Sequence, residues 1–150
     1  MKIDDVLAAV RRRASLALPP STDVLRLVDD EPDGCPGLVV DRYGSVLRLE
    51  VRGSSLPADL TEIGAALVEE TGTRAAVALL RTAGGESALF RLVGEPPPLH
   101  VVHEGGLRFA VRTGDVEAAG TGVFVDQREG RRLVRAASRG TPVLNLFANA

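Results

Sequence analysis

The sequence predicts an α/β fold, and three observations carry that prediction. Apolar side chains recur at helical spacing in two stretches, residues 3–18 and 57–71. Around them run short apolar or alternating segments of strand character. Gly, Pro and Asp clusters separate the segments at turn-like intervals. A chain of 150 residues suits one domain, or one domain and the start of another. At that length a domain buries ~70% of its unfolded surface. With 45% hydrophobic residues, 3% aromatics and no Trp, the core must be built from Leu, Val and Ala.

The first helix places Ile3, Val6, Leu7, Val10, Ala14 and Leu18 on one face, and Pro19-Pro20 ends it. Thr22 to Val28 reads as a strand, followed by the turn-rich Asp29-Asp30-Glu31-Pro32-Asp33-Gly34. Leu38 to Asp41 and Val46 to Val51 read as a hairpin turning at Arg42-Tyr43-Gly44. The second helix opens at Pro57, carries Leu60, Ile63, Leu67 and Val68, and stops at Gly72. Ala75 to Leu80 and Leu89 to Val93 are strands across a Thr82-Ala83-Gly84-Gly85 loop. Gly94-Glu95-Pro96-Pro97-Pro98 is the strongest linker signal and divides the chain into residues 1–95 and 96–150. A second hairpin follows, His100 to Glu104 and Leu107 to Arg112 across Gly105-Gly106. Residues 113–122 read as loop, Val123-Phe124-Val125 as a short apolar strand, and 127–138 as a helix ended by Gly140. The chain closes on Val143 to Phe147, a short buried strand breaking into a turn.

Charge and composition exclude several classes. The net charge of −2 does not suggest a strong nucleic-acid binder. Its distribution is uneven. Residues 1–100 hold 11 basic and 15 acidic side chains, residues 101–150 hold 7 and 5, and every basic residue but Lys2 is Arg. A basic end of this size is compatible with a nearby polyanion. Cys35 stands alone in a Gly-Cys-Pro-Gly turn, so it forms no intrachain disulfide or cysteine metal cluster, and nothing near it marks an activated thiol. The N-terminus lacks the order of a signal peptide, and no apolar run approaches the ~20 residues of a membrane span. The expectation is a soluble cytoplasmic protein with no membrane association.

Few local constellations carry chemistry. Around Asp126-Gln127-Arg128, Asp126 is placed to cap the following helix and Gln127 offers donor and acceptors for a ligand. Arg128, Arg131 or Arg132, Arg135 and Arg139 recur every three to four residues as a basic stripe. That stripe reads either as a phosphate-facing helix or as a capped, solvated surface helix. His100 and His103 lie three apart in a strand and point to opposite faces, which argues against a shared metal. Asp29, Asp30, Glu31 and Asp33 lack the alternation of a calcium loop and read as a solvated turn. No nucleophile elbow or phosphate-binding P-loop is present, so no catalytic residue and no metal ligand is assigned.

The order of motifs says more than any one of them. Val24 to Val28, then Glu31-Pro32-Asp33-Gly34-Cys35-Pro36-Gly37-Leu38-Val39-Val40-Asp41-Arg42-Tyr43-Gly44, resembles the "DG-PGL-VDRYG" stretch of the class I S-adenosylmethionine-dependent methyltransferases related to the large-subunit ribosomal RNA cytosine-C5 enzymes. Glu104-Gly105-Gly106-Leu107-Arg108-Phe109-Ala110-Val111 resembles their "NGL-F-V" hairpin. Thr121-Gly122-Val123-Phe124-Val125-Asp126-Gln127-Arg128-Glu129 with Arg131 is similar to "TG-F-DQRENR", and Val143 to Phe147 to the motif I strand. The chain departs from the pattern at Ala118-Ala119-Gly120, where a polar pair is usual, and at Gly130, where Asn is usual.

The resemblance implies a central α+β domain over residues 1–95, followed in 96–150 by the truncated start of a Rossmann-like methyltransferase domain. It implies S-adenosyl-L-methionine as cofactor and ribosomal RNA as partner, with the central domain helping to present RNA. Asp126, Gln127 and Arg128 would lie beside the cofactor pocket, with Asn145 and Phe147 near its methionine end. Cytosine C5 requires prior thiolate attack at C6, and Cys35 lies in the wrong motif for that role. The carboxylate that grips the ribose and the nucleophilic cysteine belong to the part beyond motif I. The expectation is therefore an RNA methyltransferase present as an N-terminal portion with little or no activity alone. The alternatives are a non-catalytic RNA-binding or assembly module and a truncated product without function. An unpaired apolar strand at 143–147 would favour self-association, hence a homodimer.

Overall fold

The computed structural model describes residues 2–16, 18–114 and 121–144. It is the α/β fold expected. Helix α1 (Ile3–Ala14) precedes strands β1 (Val24–Asp29), β2 (Leu38–Tyr43) and β3 (Val46–Arg52). Helix α2 (Leu60–Thr71) then leads to β4 (Ala75–Arg81) and β5 (Ser87–Val93). The five strands form one sheet in sequence order; β3 and β4 run parallel across the α2 crossover, and the other neighbours are antiparallel. A separate hairpin, β6 (His100–Glu104) and β7 (Leu107–Val111), precedes helix α3 (Arg128–Ser138).

Strand alternation assigns the two faces of the sheet. Leu47, Leu49 and Val51 of β3, with Ala76, Ala78 and Leu80 of β4, point to the face covered by α1 and α2. They pack there against Val6, Ala9 and Val10 of α1 and Leu60, Ile63 and Leu67 of α2. Gly64 is the small residue that lets α2 approach the sheet: a Cβ there would meet Leu92 Cδ1 at 3.1 Å. The opposite face carries Arg26, Asp41 and Arg48 in one cross-strand row. At its β1–β2 end a second cluster, Val24, Tyr43, Val102, Val111, Val123 and Val125, joins the hairpin to the sheet. Asp23 fastens that junction, because its carboxylate accepts from the His103 backbone N–H at 2.7 Å while its own N–H donates to His103 O at 3.0 Å.

Several expectations are corrected. Helix α1 ends at Ala14, not Leu18, since Ser15 turns its hydroxyl onto Arg12 O at 2.7 Å and leaves Leu16 exposed. The β2–β3 turn is Gly44-Ser45, one step later than expected, because Tyr43 still pairs with Val46. Helix α2 begins at Leu60 rather than Pro57. Val123-Phe124-Val125 is not a strand: Val123 and Val125 are buried through a bend that enters a 3-10 turn, Val125–Gln127. The acidic turn is not a solvated one. Asp33, with a side chain 8% exposed, pairs with Arg12 and Arg13 and accepts from Asp29 N–H, while Asp30 accepts from Gly37 N–H at 2.7 Å.

The terminal strand expected over 143–147 falls partly outside the described residues, as do Asn145 and Phe147. Val143 and Leu144 are described, outside any strand and 58% and 82% exposed. A strand exists only through a partner, and none is paired with them among the described residues.

Candidate functional site

The segment 121–131 lies over the β1–β2 end of the open sheet face, beside the hairpin. Thr121 Oγ1 lies 3.0 Å from both Tyr43 Oη and Val123 O. A carbonyl can only accept, so the threonine hydrogen serves Val123 and the phenol hydrogen serves Thr121. Burial, above all, pushes the Tyr43 phenol up to about 12, which keeps it a donor at neutral pH. Next to this pair, Arg26 grips Asp41 through Nε at 2.9 Å and Nη2 at 3.3 Å. Burial nevertheless holds Asp41 above the usual carboxylate range, outweighing the Arg26 fork.

A cavity of about 180 Å³ opens here, bordered by Tyr43, Arg48, Thr121, Phe124 and Asp126 among others. Arg48 is buried, 8% exposed, and its Nη1 has no hydrogen-bond partner among the described residues. Burial pulls its pKa below the ordinary arginine value.

Below the cavity Glu104 organises the entry to α3. Its carboxylate, 5% exposed, accepts two bonds from Arg131 at 2.8 Å and one from Arg128 Nε at 3.2 Å. Those bonds, Arg131's foremost, hold Glu104 below the usual carboxylate range. Arg128 also donates to Val24 O, and Arg131 to Phe124 O at 2.8 Å with its guanidinium 5.6 Å from the Phe109 ring centre. Arg135 donates to Gly105 O.

Along the stripe, Arg128 and Arg131 turn inward onto Glu104, while Arg132, Arg135 and Arg139 are exposed. Arg128, Arg131 and Arg135 bind the helix to the hairpin, and Arg132 pairs with Glu129 on the outside. The apolar side of α3 is left outward, with Leu133 58% and Val134 54% exposed. Asp126 does not cap the helix. It sits inside the 3-10 turn, Gln127 takes the cap position, and no side-chain cap bond forms.

Of the residues singled out in the sequence, Asp126 and Gln127 are exposed on this surface and Arg128 is committed to Glu104 and Val24. The two histidines contact separate partners, His100 with Tyr43 O and His103 with Asp23. Cys35 is fully buried, and burial raises its thiol pKa. No cluster of three metal-ligating side chains occurs among the described residues. Sequence reading assigned no role to Glu104 or Arg48. The available signals were a charge beside Gly-Gly and a charge inside the apolar run Val46 to Val51.

A family model described as S-adenosylmethionine-dependent methyltransferase matches residues 57–150. The chain belongs to this S-adenosylmethionine-dependent methyltransferase family. Its relatives include the ribosomal RNA large subunit methyltransferase I of Erwinia tasmaniensis, 31% identical over 94% of the chain and 37% of that protein. A ribosomal RNA large subunit methyltransferase of Deinococcus radiodurans is 35% identical over 94% of the chain and 37% of its own length. The chain thus spans little more than a third of these relatives. Among solved structures, a candidate SAM-dependent methyltransferase from Streptococcus mutans superposes with a TM-score of 0.70 at 26% identity, over 88% of this chain and 34% of that one. A second candidate methyltransferase, complexed with SAH, shares the fold at a TM-score of 0.70 and 24% identity, over 89% of this chain and 35% of that one.

The methyl donor of the family is S-adenosylmethionine. The residues present suit part of such a ligand. The exposed Asp126 carboxylate accepts from hydroxyl or ammonium groups, the exposed Gln127 amide both donates and accepts, and Asp126 borders a cavity holding an unpartnered guanidinium. No helix among the described residues is long and apolar enough to cross a membrane.

Proposed function

We propose that this chain is the RNA-presenting and pocket-flanking portion of an S-adenosylmethionine-dependent ribosomal RNA methyltransferase acting on cytosine C5. The observation that carries the reading is the joint one: the family match over residues 57–150 and relatives acting on large-subunit ribosomal RNA that align along 94% of the chain. On this reading residues 1–95 form the central domain and 96–150 open the catalytic one. The separate sheets on either side of Gly94–Pro98 support that division. Ribosomal RNA is the substrate and the cytoplasm the place of action.

By the family resemblance Asp126 and Gln127 belong beside the cofactor pocket, with Asn145 and Phe147 assigned to its methionine end. Arg128, held by Glu104, positions the loop that carries the first two. When bound, S-adenosylmethionine supplies an electrophilic methyl group. The thiolate that C5 transfer demands is not Cys35, which is buried with its pKa raised. Transfer therefore needs residues other than those described, and residues 1–150 alone transfer little or no methyl. The exposed Leu133 and Val134 support self-association as a homodimer.

The test is nucleoside mass spectrometry of large-subunit ribosomal RNA from cells with and without the gene. Loss of one 5-methylcytosine is expected. Loss of a different methylated nucleoside would refute the C5 assignment alone, and an unchanged profile would refute the reading. Transfer of labelled methyl to ribosomal RNA by purified residues 1–150 would overturn the inactivity.

A further inference from the structure

We propose that the cavity over Arg48 is a binding site for a singly charged oxyanion, a phosphodiester or a carboxylate, with the Arg48 guanidinium as its anchor. In the sheet, Arg48 stands between Asp41 on β2 and Val77 on β4. Of the carboxylates bordering the cavity, Asp41 is engaged by Arg26 and Glu50 by Arg52 and Arg81, while Asp126 is exposed to solvent. The Arg48 Nη1 is buried without a partner among the described residues. A guanidinium stays charged at neutral pH even when burial lowers its pKa. A buried, uncompensated cation is costly, and an apolar side chain of the same length would be stable there. The position therefore makes sense as one half of a pair whose other half is a ligand.

The cavity also chooses the charge of that ligand. Its border holds Arg26, Arg48 and Arg81 against Asp41, Glu50 and Asp126, charges that sum to zero, and among the described residues Arg48 is the one of these cations without an ion-pair partner. A dianion such as a phosphate monoester would meet three carboxylates for one free cation. A monoanion with two oxygens matches the planar guanidinium edge and adds the least negative charge to this border. The volume of about 180 Å³ admits such a group. Anion binding at Arg48 requires no methyl transfer.

The test uses the 150-residue chain with two probes: a fluorescein-labelled single-stranded RNA of about 12 nucleotides read by anisotropy, and S-adenosylhomocysteine read by calorimetry. Arg48→Met should weaken one probe at least tenfold while its thermal midpoint holds or rises, because the buried charge is gone. Loss of the RNA names a phosphodiester as the source of the anion, and loss of S-adenosylhomocysteine names a carboxylate. Arg48→Lys, which keeps the charge but not the fork, should recover part of the affinity. Arg91→Gln, exposed on the same face, should leave both probes within twofold. The proposal is overturned if the parent chain binds neither probe or Arg48→Met binds both as the parent does. An Arg91→Gln loss equal to that of Arg48→Met would overturn it too, as would a lowered midpoint with unchanged binding.

Discussion

Replacing Glu104 with Gln tests how α3 is held. The carboxylate takes three charge-assisted bonds from two guanidiniums whose side chains are only 20% and 23% exposed. Gln keeps the size and one acceptor oxygen but no charge. Removing one partner of a buried ion pair costs about 3–5 kcal/mol. The part-exposed arginines regain some hydration, so about 2–3 kcal/mol is expected. No residue of α3 is buried, so little else holds the helix. The loss should therefore be local.

Hydrogen exchange is the assay. In Glu104→Gln, amides of 128–138 should lose their protection while those of β2, β3 and β4 keep theirs. Undiminished protection of α3 would refute the argument that Glu104 holds it. Titration gives an independent check. The Arg131 and Arg128 bonds depress the folded pKa of Glu104 below its unfolded value, near ~4.3. The stabilisation is thus complete above that value and lost as pH falls through the depressed folded one. Acid should release α3, and Glu104→Gln should abolish that pH dependence.

Other outcomes follow from single positions. Gly94 has φ +61°, and an added Cβ would run into Arg74 O, so Gly94→Ala should cost about 2 kcal/mol or more in urea denaturation. Cys35 is fully buried with a raised thiol pKa, so its alkylation should be slow in the native protein and fast in denaturant; equal rates would contradict its burial. Leu133→Glu should change stability by less than about 0.5 kcal/mol, since the side chain is 58% exposed, while sedimentation shows less self-association. A large destabilisation would mean that this face of α3 is packed.

Local rules made much of the architecture legible. Alternation in Val46 to Val51 and the continuous apolar run Ala75 to Leu80 identified strands, and helical spacing of Leu60, Ile63 and Leu67 identified α2, because burial imposes the period of a regular element on its sequence. The Gly105-Gly106 hairpin was equally clear, since both residues adopt positive φ at 55° and 83°. The Asp126-Gln127-Arg128 segment stood out by its resemblance, which located the surface but not the partners of its side chains.

Those partners depend on residues far apart in the chain. Arg48 lies in an apolar run, yet its lack of a partner among the described residues reflects Arg26 and Arg81 having taken Asp41 and Glu50 beside it in the sheet. Tyr43 and Thr121 meet across 78 residues. Helix α3 is the sharpest case. Its periodicity establishes an amphipathic helix, and a sequence-only rule would bury Leu133 and Val134. Which face turns inward was decided by Glu104, held by the hairpin beneath Val24. A buried carboxylate there requires cations, and the arginine face supplies them.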